Sequence, residues 1–319
     1  MKILINGISV QFSSFMMVSI IIVNYNVFGI LKNCLNSIYR KFKEFEFEII
    51  VVDNNSPERD IDSVNHIFPD VKYLSLKENY GFAKANNIAA KNAAGNYLLF
   101  LNPDTLIAEN FIPDFIDRFK NDQRTGICAP GLVYPDYSFQ SSTGPKLGLL
   151  YDFLESFMLV DLYRKLTRTK YITGLNKVYK VGWVSGACLF IEKKIFESVG
   201  GFTESYFLNY EDIDLCFKIL KNDREIFYMP SLKCIHLDHK SFNKDYERLV
   251  FTRYSGRLNY IKLNYNIIQR IFSRLIFISG LFLKILLVNF SYTTNERKSR
   301  RNGYIKSLKL YAGMQNNLK

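Results

Sequence analysis

Three short apolar runs each stop on a polar side chain: VSIIIV (18–23) at Asn24, FEIIVV (47–52) at Asp53, and YLLFL (97–101) at Asn102-Pro103-Asp104. Runs this short and this rich in β-branched residues read as strands buried on both faces, the condition of a parallel sheet covered by helices. Between them lie a helical pattern that follows Asn24-Tyr25-Asn26 as far as about Tyr39, a short strand at 71–76, and an Ala- and Asn-rich helix from Gly81 to Ala94. This rhythm predicts an α/β fold, a mostly parallel sheet flanked by crossover helices. Ligands of such sheets bind beyond the carboxyl ends of the strands. The polar stops at Asn24, Asp53 and Asp104 therefore point at one crevice.

Further along, residues 140–180 read as an insertion, with helical spacing from Leu147 to Leu166. A strand is expected at 183–191, an acidic loop and then a helix over 206–220, and a last short strand at 226–235. The chain divides into an N-terminal extension (1–15) that ends just before Met16-Met17 and adds nothing to the fold, a main domain (16–245) and a helical tail (246–319). In the tail, Lys284 is the only charge from Leu275 to Asn295, with Arg270 and Arg274 before this stretch and Glu296-Arg297-Lys298-Ser299-Arg300-Arg301 after it. Its strongly apolar part, about 16 residues, falls short of the roughly 20 that span a bilayer. It predicts a helix lying in the membrane interface, with a span and a buried core helix as the alternatives.

The net charge of +12 fits nucleic acid, an anionic membrane or a phosphorylated substrate. Zinc-finger spacing, an RNA-binding aromatic motif and a heptad-linked basic region are all missing, so no nucleic acid partner is expected. The basic residues beside the apolar tail point instead to an anionic membrane surface. Cys34, Cys128, Cys188, Cys216 and Cys234 are odd in number, scattered and set among apolar residues, as buried reduced thiols of a cytosolic protein are. With Lys2 as its only basic residue and no clean cleavage site, the N-terminus does not read as a signal peptide.

Several side chains carry two readings each. Asp104, after Pro103 at a strand end, is either turn chemistry or a rigid carboxylate that holds a divalent cation against a diphosphate. Asp53 is either loop material or an acceptor for a pyrimidine ring N–H. Glu211-Asp212, ahead of an apolar helix, is either a helix cap or a general base that takes a hydroxyl proton. His236 is structural or a nitrogen ligand of the same metal, and with Cys234 and Asp238 it makes no recognisable zinc site. A dinucleotide-dependent oxidoreductase would carry G-x-G-x-x-G after the first strand, where this chain has Asn24-Tyr25-Asn26-Val27-Phe28-Gly29.

The ordered set VSIIIVNYN (18–26), IIVVDNNS (49–56), ENYGFAKANN (78–87), LLFLNPDT (98–105), WVSGACLFI (183–191), NYEDIDLCFK (209–218) and His236 to Ser241 resembles the family 2 glycosyltransferases. It is more closely similar to their bacterial rhamnosyltransferase-like branch, over roughly residues 17–245. The resemblance implies a GT-A fold, Rossmann-like, with a nucleotide-diphospho-sugar donor, Mg2+ or Mn2+, and inversion at the anomeric carbon. By position, Asn24, Tyr25 and Asp53 would line the base and ribose, and Asn79, Gly81, Phe82, Asn86 and Asn102 the rest of the donor site. Asp104 would close the family's metal-binding Asp-x-Asp, whose first Asp is Asn102 here, as in the rhamnosyl branch. Trp183, Ser185, Gly186 and Glu211 would border the acceptor, Asp212 would be the catalytic base, and His236 would touch the metal or diphosphate. His239 stands where the family often has Gly. The implied reaction is rhamnosyl transfer from dTDP-rhamnose to a hydroxyl of a lipid-linked or polysaccharide acceptor in cell-surface glycan synthesis, on the inner face of the cell membrane. Galactofuranosyl, glucosyl or N-acetylhexosaminyl transfer, or a non-catalytic membrane-bound scaffold, are the alternatives.

Overall fold

The computed structural model describes residues 2–5, 8–11, 17–43, 45–58, 60–166, 177–237, 245–291 and 294–313. Asp238, His239 and Ser241 lie outside them. In the N-terminal extension, β1 (Lys2–Ile5) and β2 (Ile8–Gln11) pair with each other and, among the described residues, join no other sheet.

The main sheet begins with four parallel strands separated by helices. They are β3 (Val18–Asn24), β4 (Phe47–Asp53), β5 (Lys72–Ser75) and β6 (Tyr97–Leu101), interleaved with α1 (Phe28–Lys41), α2 (Ile61–Ile67) and α3 (Gly81–Lys91). Every residue of β3 and β6 is buried, so helices must cover the sheet on each side. In α1, Phe28, Leu31, Cys34, Leu35 and Ile38 make the buried stripe that helical periodicity demands. In α3, Ala83, Ala85, Ala89 and Ala90 are small enough to bring the helix close against β3 and β4.

Residues 105–133 hold β7 (Thr105–Ile107), α4 (Ile112–Asn121) and β8 (Thr125–Val133), with Ile112, Phe115, Ile116 and Phe119 forming the buried stripe of α4. The expected insertion contributes β9 (Thr143–Gly144), α5 (Leu149–Ser156) and α6 (Val160–Leu166), followed by β10 (Tyr179–Val181). The strand expected at 183–191 is two strands. β11 (Trp183–Val184) pairs with β9, and β12 (Cys188–Glu192) lies antiparallel between β6 and β8. After α7 (Lys193–Ser198) and α8 (Glu211–Lys221) comes β13 (Glu225–His236), 12 residues rather than a short strand. It runs parallel to β8, shifts register between Met229 and Lys233, and ends antiparallel to β7. The shift falls at Pro230, which has no N–H for the ladder, opposite Pro130 and Gly131 of β8. The order β10-β13-β8-β12-β6-β3-β4-β5 thus makes a sheet that is parallel in one half and mixed in the other.

Three helices close the chain: α9 (Tyr246–Asn264), α10 (Ile267–Ser291) and α11 (Thr294–Tyr311). They share a second apolar core with Tyr206 and Tyr210 of the loop before α8, centred on Tyr254, Leu258, Phe277 and Tyr311. Arg257 of α9 and Asp152 of α5 form a fully buried ion pair, with Ser273 of α10 donating to Asp152 at 2.7 Å and Arg257 donating to the Tyr265 hydroxyl at 3.0 Å. Gly280 of α10 lies directly against Ser156 of α5. The insertion is therefore the platform on which the tail docks.

The tail helix is longer than its sequence suggests. Ile267–Phe290, 24 residues that include an 18-residue stretch of mean hydropathy 2.2, is long and apolar enough to cross a bilayer. Its inner face is buried at Ser273, Phe277, Leu281 and Val288, while Ile268, Ile271, Leu275, Phe282, Leu286 and Phe290 form an exposed apolar stripe. All five cysteines are free and buried.

Candidate active site

A cleft of about 230 Å³ opens at the carboxyl ends of β3, β4 and β6. Tyr25, Asn54, Asn79, Gly81, Phe82, Asn102, Asp104, Phe207, Leu208 and Arg248 are among its lining residues. An amide relay shapes one wall: Asn54 Nδ2 donates to Asn79 Oδ1 at 2.9 Å, and the Tyr80 and Gly81 N–H groups donate to Asn54 Oδ1 and Asn79 Oδ1 at 2.9 and 3.0 Å. Gly81 has φ +78, and a Cβ there would stand 2.5 Å from the Phe207 carbonyl oxygen, so only glycine fits.

Asn24, Asp53 and Asn86 are not on the cleft surface but behind it. Asn24 and Asp53 are partners on the last rung of the β3–β4 ladder. There Asp53 Oδ1 accepts from Asn24 Nδ2 at 3.2 Å and from Ser56 Oγ at 2.5 Å, and Oδ2 accepts from Ser56 N at 3.3 Å. These bonds fix the loop that presents Asn54. Asn86 sits one turn past Phe82 in α3, is 1% exposed, and donates to the Phe82 carbonyl at 2.9 Å.

Asp104 follows β6 and meets the end of β13, where His236 pairs with Thr105. His236 Nε2 stands 3.2 Å from Asp104 Oδ1, and Nδ1 stands 2.8 Å from Gln140 Oε1. With Gln140 accepting from Nδ1–H, Nε2 is left as a lone pair facing a carboxylate oxygen. Two acceptors that close need a proton or a cation between them, and a His whose far nitrogen is held this way is typical of a metal ligand. Among the described residues no group of three His, Cys, Asp or Glu converges, so those residues offer this one pair.

The acidic pair opens α8. Asn209 (φ 70) and Tyr210 (φ 74) are both left-handed, a costly conformation for non-glycine residues that turns the chain sharply into the helix. Asp212 Oδ2 accepts from Gly186 N at 2.9 Å, and Oδ1 from Ile213 N at 2.8 Å. A Cβ on Gly186 would lie 3.3 Å from Asp212 Cβ and 3.6 Å from Phe82 Cε1, so the carboxylate adjoins the cleft wall. Burial raises the Asp212 pKa, against the two N–H donors that lower it. Burial first, and then the charge of Asp212, push Glu211 up to about 8, and its buried Oε2 has no hydrogen-bond partner. Ser185 N donates to the Ser142 carbonyl at 2.8 Å, and the Trp183 carbonyl accepts from Thr143 Oγ1 at 2.6 Å, which ties this strip to β9. Gln140, Asn54, Phe207, Leu208 and Arg248 carry no signal in isolation; only Asn54, beside Asp53, was within reach of a sequence argument.

The fold is that of a GT-A glycosyltransferase. A mannosyltransferase from Pyrobaculum calidifontis, solved with GDP-Man and Mn2+, superposes with TM-score 0.58 and 15% identity over 94% of this chain and 88% of its own. The glycosyl transferase family 2 profile matches residues 19–200, more than half of the chain, and the chain belongs to that family. It is similar to the rhamnosyltransferase WbbL of Escherichia coli K12 (26% identical over 231 residues, 70% of this chain and 84% of that one). It is also similar to the N-acetylglucosaminyl-diphospho-decaprenol L-rhamnosyltransferase of Mycobacterium tuberculosis (26% over 212 residues, 62% and 68%).

Proposed function

We propose that this glycosyltransferase moves a sugar, rhamnosyl from dTDP-rhamnose in the first instance, from a nucleotide-diphospho donor to a hydroxyl of a lipid-linked or polysaccharide acceptor, with inversion. The observation that carries this reading is the meeting of Asp104 Oδ1 and His236 Nε2 at the cleft. A carboxylate beside an imidazole suits Mn2+ better than Mg2+, which prefers oxygen alone; either ion completes its shell with phosphate oxygens and water. When bound, such an ion offsets the charge of the departing diphosphate. Tyr25 and the Asn54–Asn79 wall receive the nucleotide, and Arg248 brings a guanidinium toward the diphosphate. Asp212, fixed by two N–H groups, takes the proton of the attacking hydroxyl. The rhamnosyl donor and the lipid-linked acceptor are supported by the names of the two bacterial relatives.

The test is calorimetric titration with a panel of nucleoside diphosphates and their sugars, with Mn2+ present. Asp104→Asn is expected to weaken donor binding by about 100-fold or more, with little change in metal-free binding. Equal affinity of both proteins in the presence of metal rejects Asp104 as a ligand.

The enzyme works on the cytoplasmic face of the membrane, held by the outer stripe of α10. Lys284 Nζ donates to the Tyr254 hydroxyl at 2.9 Å, Ser273 to Asp152, and Arg270 Nε to the Tyr265 carbonyl at 2.7 Å, so the inner side is bonded to the protein along its length. That favours a helix lying in the interface over one crossing it. Deleting the tail is a poor test because the same helices bury Phe277, Leu281 and Tyr311. The exposed pair Leu275→Glu with Phe282→Glu removes about 3 kcal/mol or more of membrane burial, over a hundredfold in partition, without touching the core. An unchanged membrane fraction assigns the attachment elsewhere.

A further inference from the structure

A second, larger cavity of about 660 Å³ lies between β9, β10 and the helices α5 and α6, within the size range of organic-ligand pockets. Leu150, Leu154, Val160 and Leu220 give it apolar walls, and two lysines line it. Lys180 is paired with Glu225 at 2.7 Å. Among the described residues no carboxylate pairs with Lys146, whose Nζ stands 6.0 Å from the ring centroid of Phe217 in α8. An apolar pocket with a lysine that no described carboxylate pairs fits an amphiphile that has an extended hydrocarbon and a compact anionic head.

Its position relates it to the acidic pair twice over. Gly182 lines the cavity, and four residues on, Gly186 N holds Asp212; four extended residues reach at most about 14 Å. Phe217, under Lys146, is five residues beyond Asp212 on the same helix, about 7.5 Å along its axis. Apolar surface adjoins the lining residue Leu150: it and Phe153, Met158 and Leu162 are exposed on or beside α5 and α6, and α5 packs on α10, whose outer stripe is apolar too. A hydrocarbon chain can enter from that side without crossing water.

We propose that this cavity binds the prenyl chain of a prenyl-diphosphate-linked acceptor, with Lys146 meeting the diphosphate and the attached sugar reaching on to Asp212. The proposal rests on the transferase reading above and narrows its acceptor to the lipid-linked class.

Trp183, the only tryptophan in the chain, lies with its indole against Gly144 of the cavity wall and reports on occupancy through its fluorescence. The full chain is titrated with farnesyl diphosphate while saturating nucleoside diphosphate and Mn2+ fill the donor cleft. The expected result is a saturable change in emission, weakened about tenfold in Lys146→Gln and in Leu150→Asp, a rim position that is 60% exposed and so safe for folding. Several results overturn the proposal: no saturable response, equal affinity in both variants, inorganic diphosphate binding as well as farnesyl diphosphate, or equal competition by phosphatidic acid vesicles. A chain that binds farnesyl diphosphate in this way yet cleaves no nucleotide sugar sinks the transferase reading and leaves the cavity assignment standing; the reverse pattern sinks only the cavity.

Discussion

Asp212→Asn is expected to lower sugar transfer by about 10²–10⁴-fold, the contribution typical of a positioned general base, with donor binding and thermal stability nearly unchanged. Asparagine keeps the size of the side chain and one acceptor oxygen, so it retains the bond to Gly186 N or to Ile213 N and gives up the other together with the ability to take a proton. Transfer rate and calorimetric donor affinity, measured side by side, check the assignment. If donor affinity falls with the rate, Asp212 is part of the binding surface and not the base.

The same carboxyl pair sets a pH dependence. The oxygens of Asp212 receive two N–H groups and Glu211 Oε2 receives none, so Asp212 gives up its proton first and Glu211 keeps its own to about 8. A base acts only when ionised, so the transfer rate rises with pH through the raised titration of Asp212, and this limb disappears in the Asn variant. The stability effect has the opposite sign. Both carboxyls hold protons in the folded chain that the unfolded chain has lost, so the pair costs stability as pH rises from the ordinary values of 3.8 and 4.5 toward about 8.

The polar strand ends were legible because their chemistry is local. Asn24, Asp53 and Asn102-Pro103-Asp104 each follow a buried run, and the sheet brings these strands side by side. What escaped the sequence was set by distant partners. Gln140 reaches His236 across 96 positions, and Arg248 enters the cleft from a helix that its sequence assigns to the tail. β8 contains Pro130 and Gly131, which local propensity forbids in a central strand and a facing bulge accommodates. Asn24 and Asp53, partners on the last rung of the β3–β4 ladder, and Asn86 of α3 are buried behind the residues that line the cleft. The left-handed Asn209 and Tyr210 leave no trace in composition, since neither is glycine.

That strained turn explains why the tail belongs to the site. A Cβ on Gly256 of α9 would stand 2.9 Å from Tyr210 Cδ2 and 3.0 Å from the Asn209 carbonyl oxygen, so α9 lies directly on the turn that aims Asp212. The next residue, Arg257, is 1% exposed, paired with Asp152, and ringed by Tyr260, Tyr265 and Phe277 at 5.0, 5.6 and 5.8 Å from its guanidinium carbon; its Nε and Nη1 have no hydrogen-bond acceptor. Arg257→Ala leaves Asp152 as an uncompensated buried charge, which costs about 3–5 kcal/mol. A melting temperature lower by roughly 10 °C is the corresponding signal, together with reduced transfer as the turn loses its clamp. The double variant Arg257→Met with Asp152→Leu removes both charges and is expected to regain most of the stability, because apolar replacements of a whole buried pair are often neutral. A single variant that melts within about 1 °C of the parent would mean that Asp152 is solvated and α9 is not docked on α5, and the link between tail and catalytic turn would fail with it.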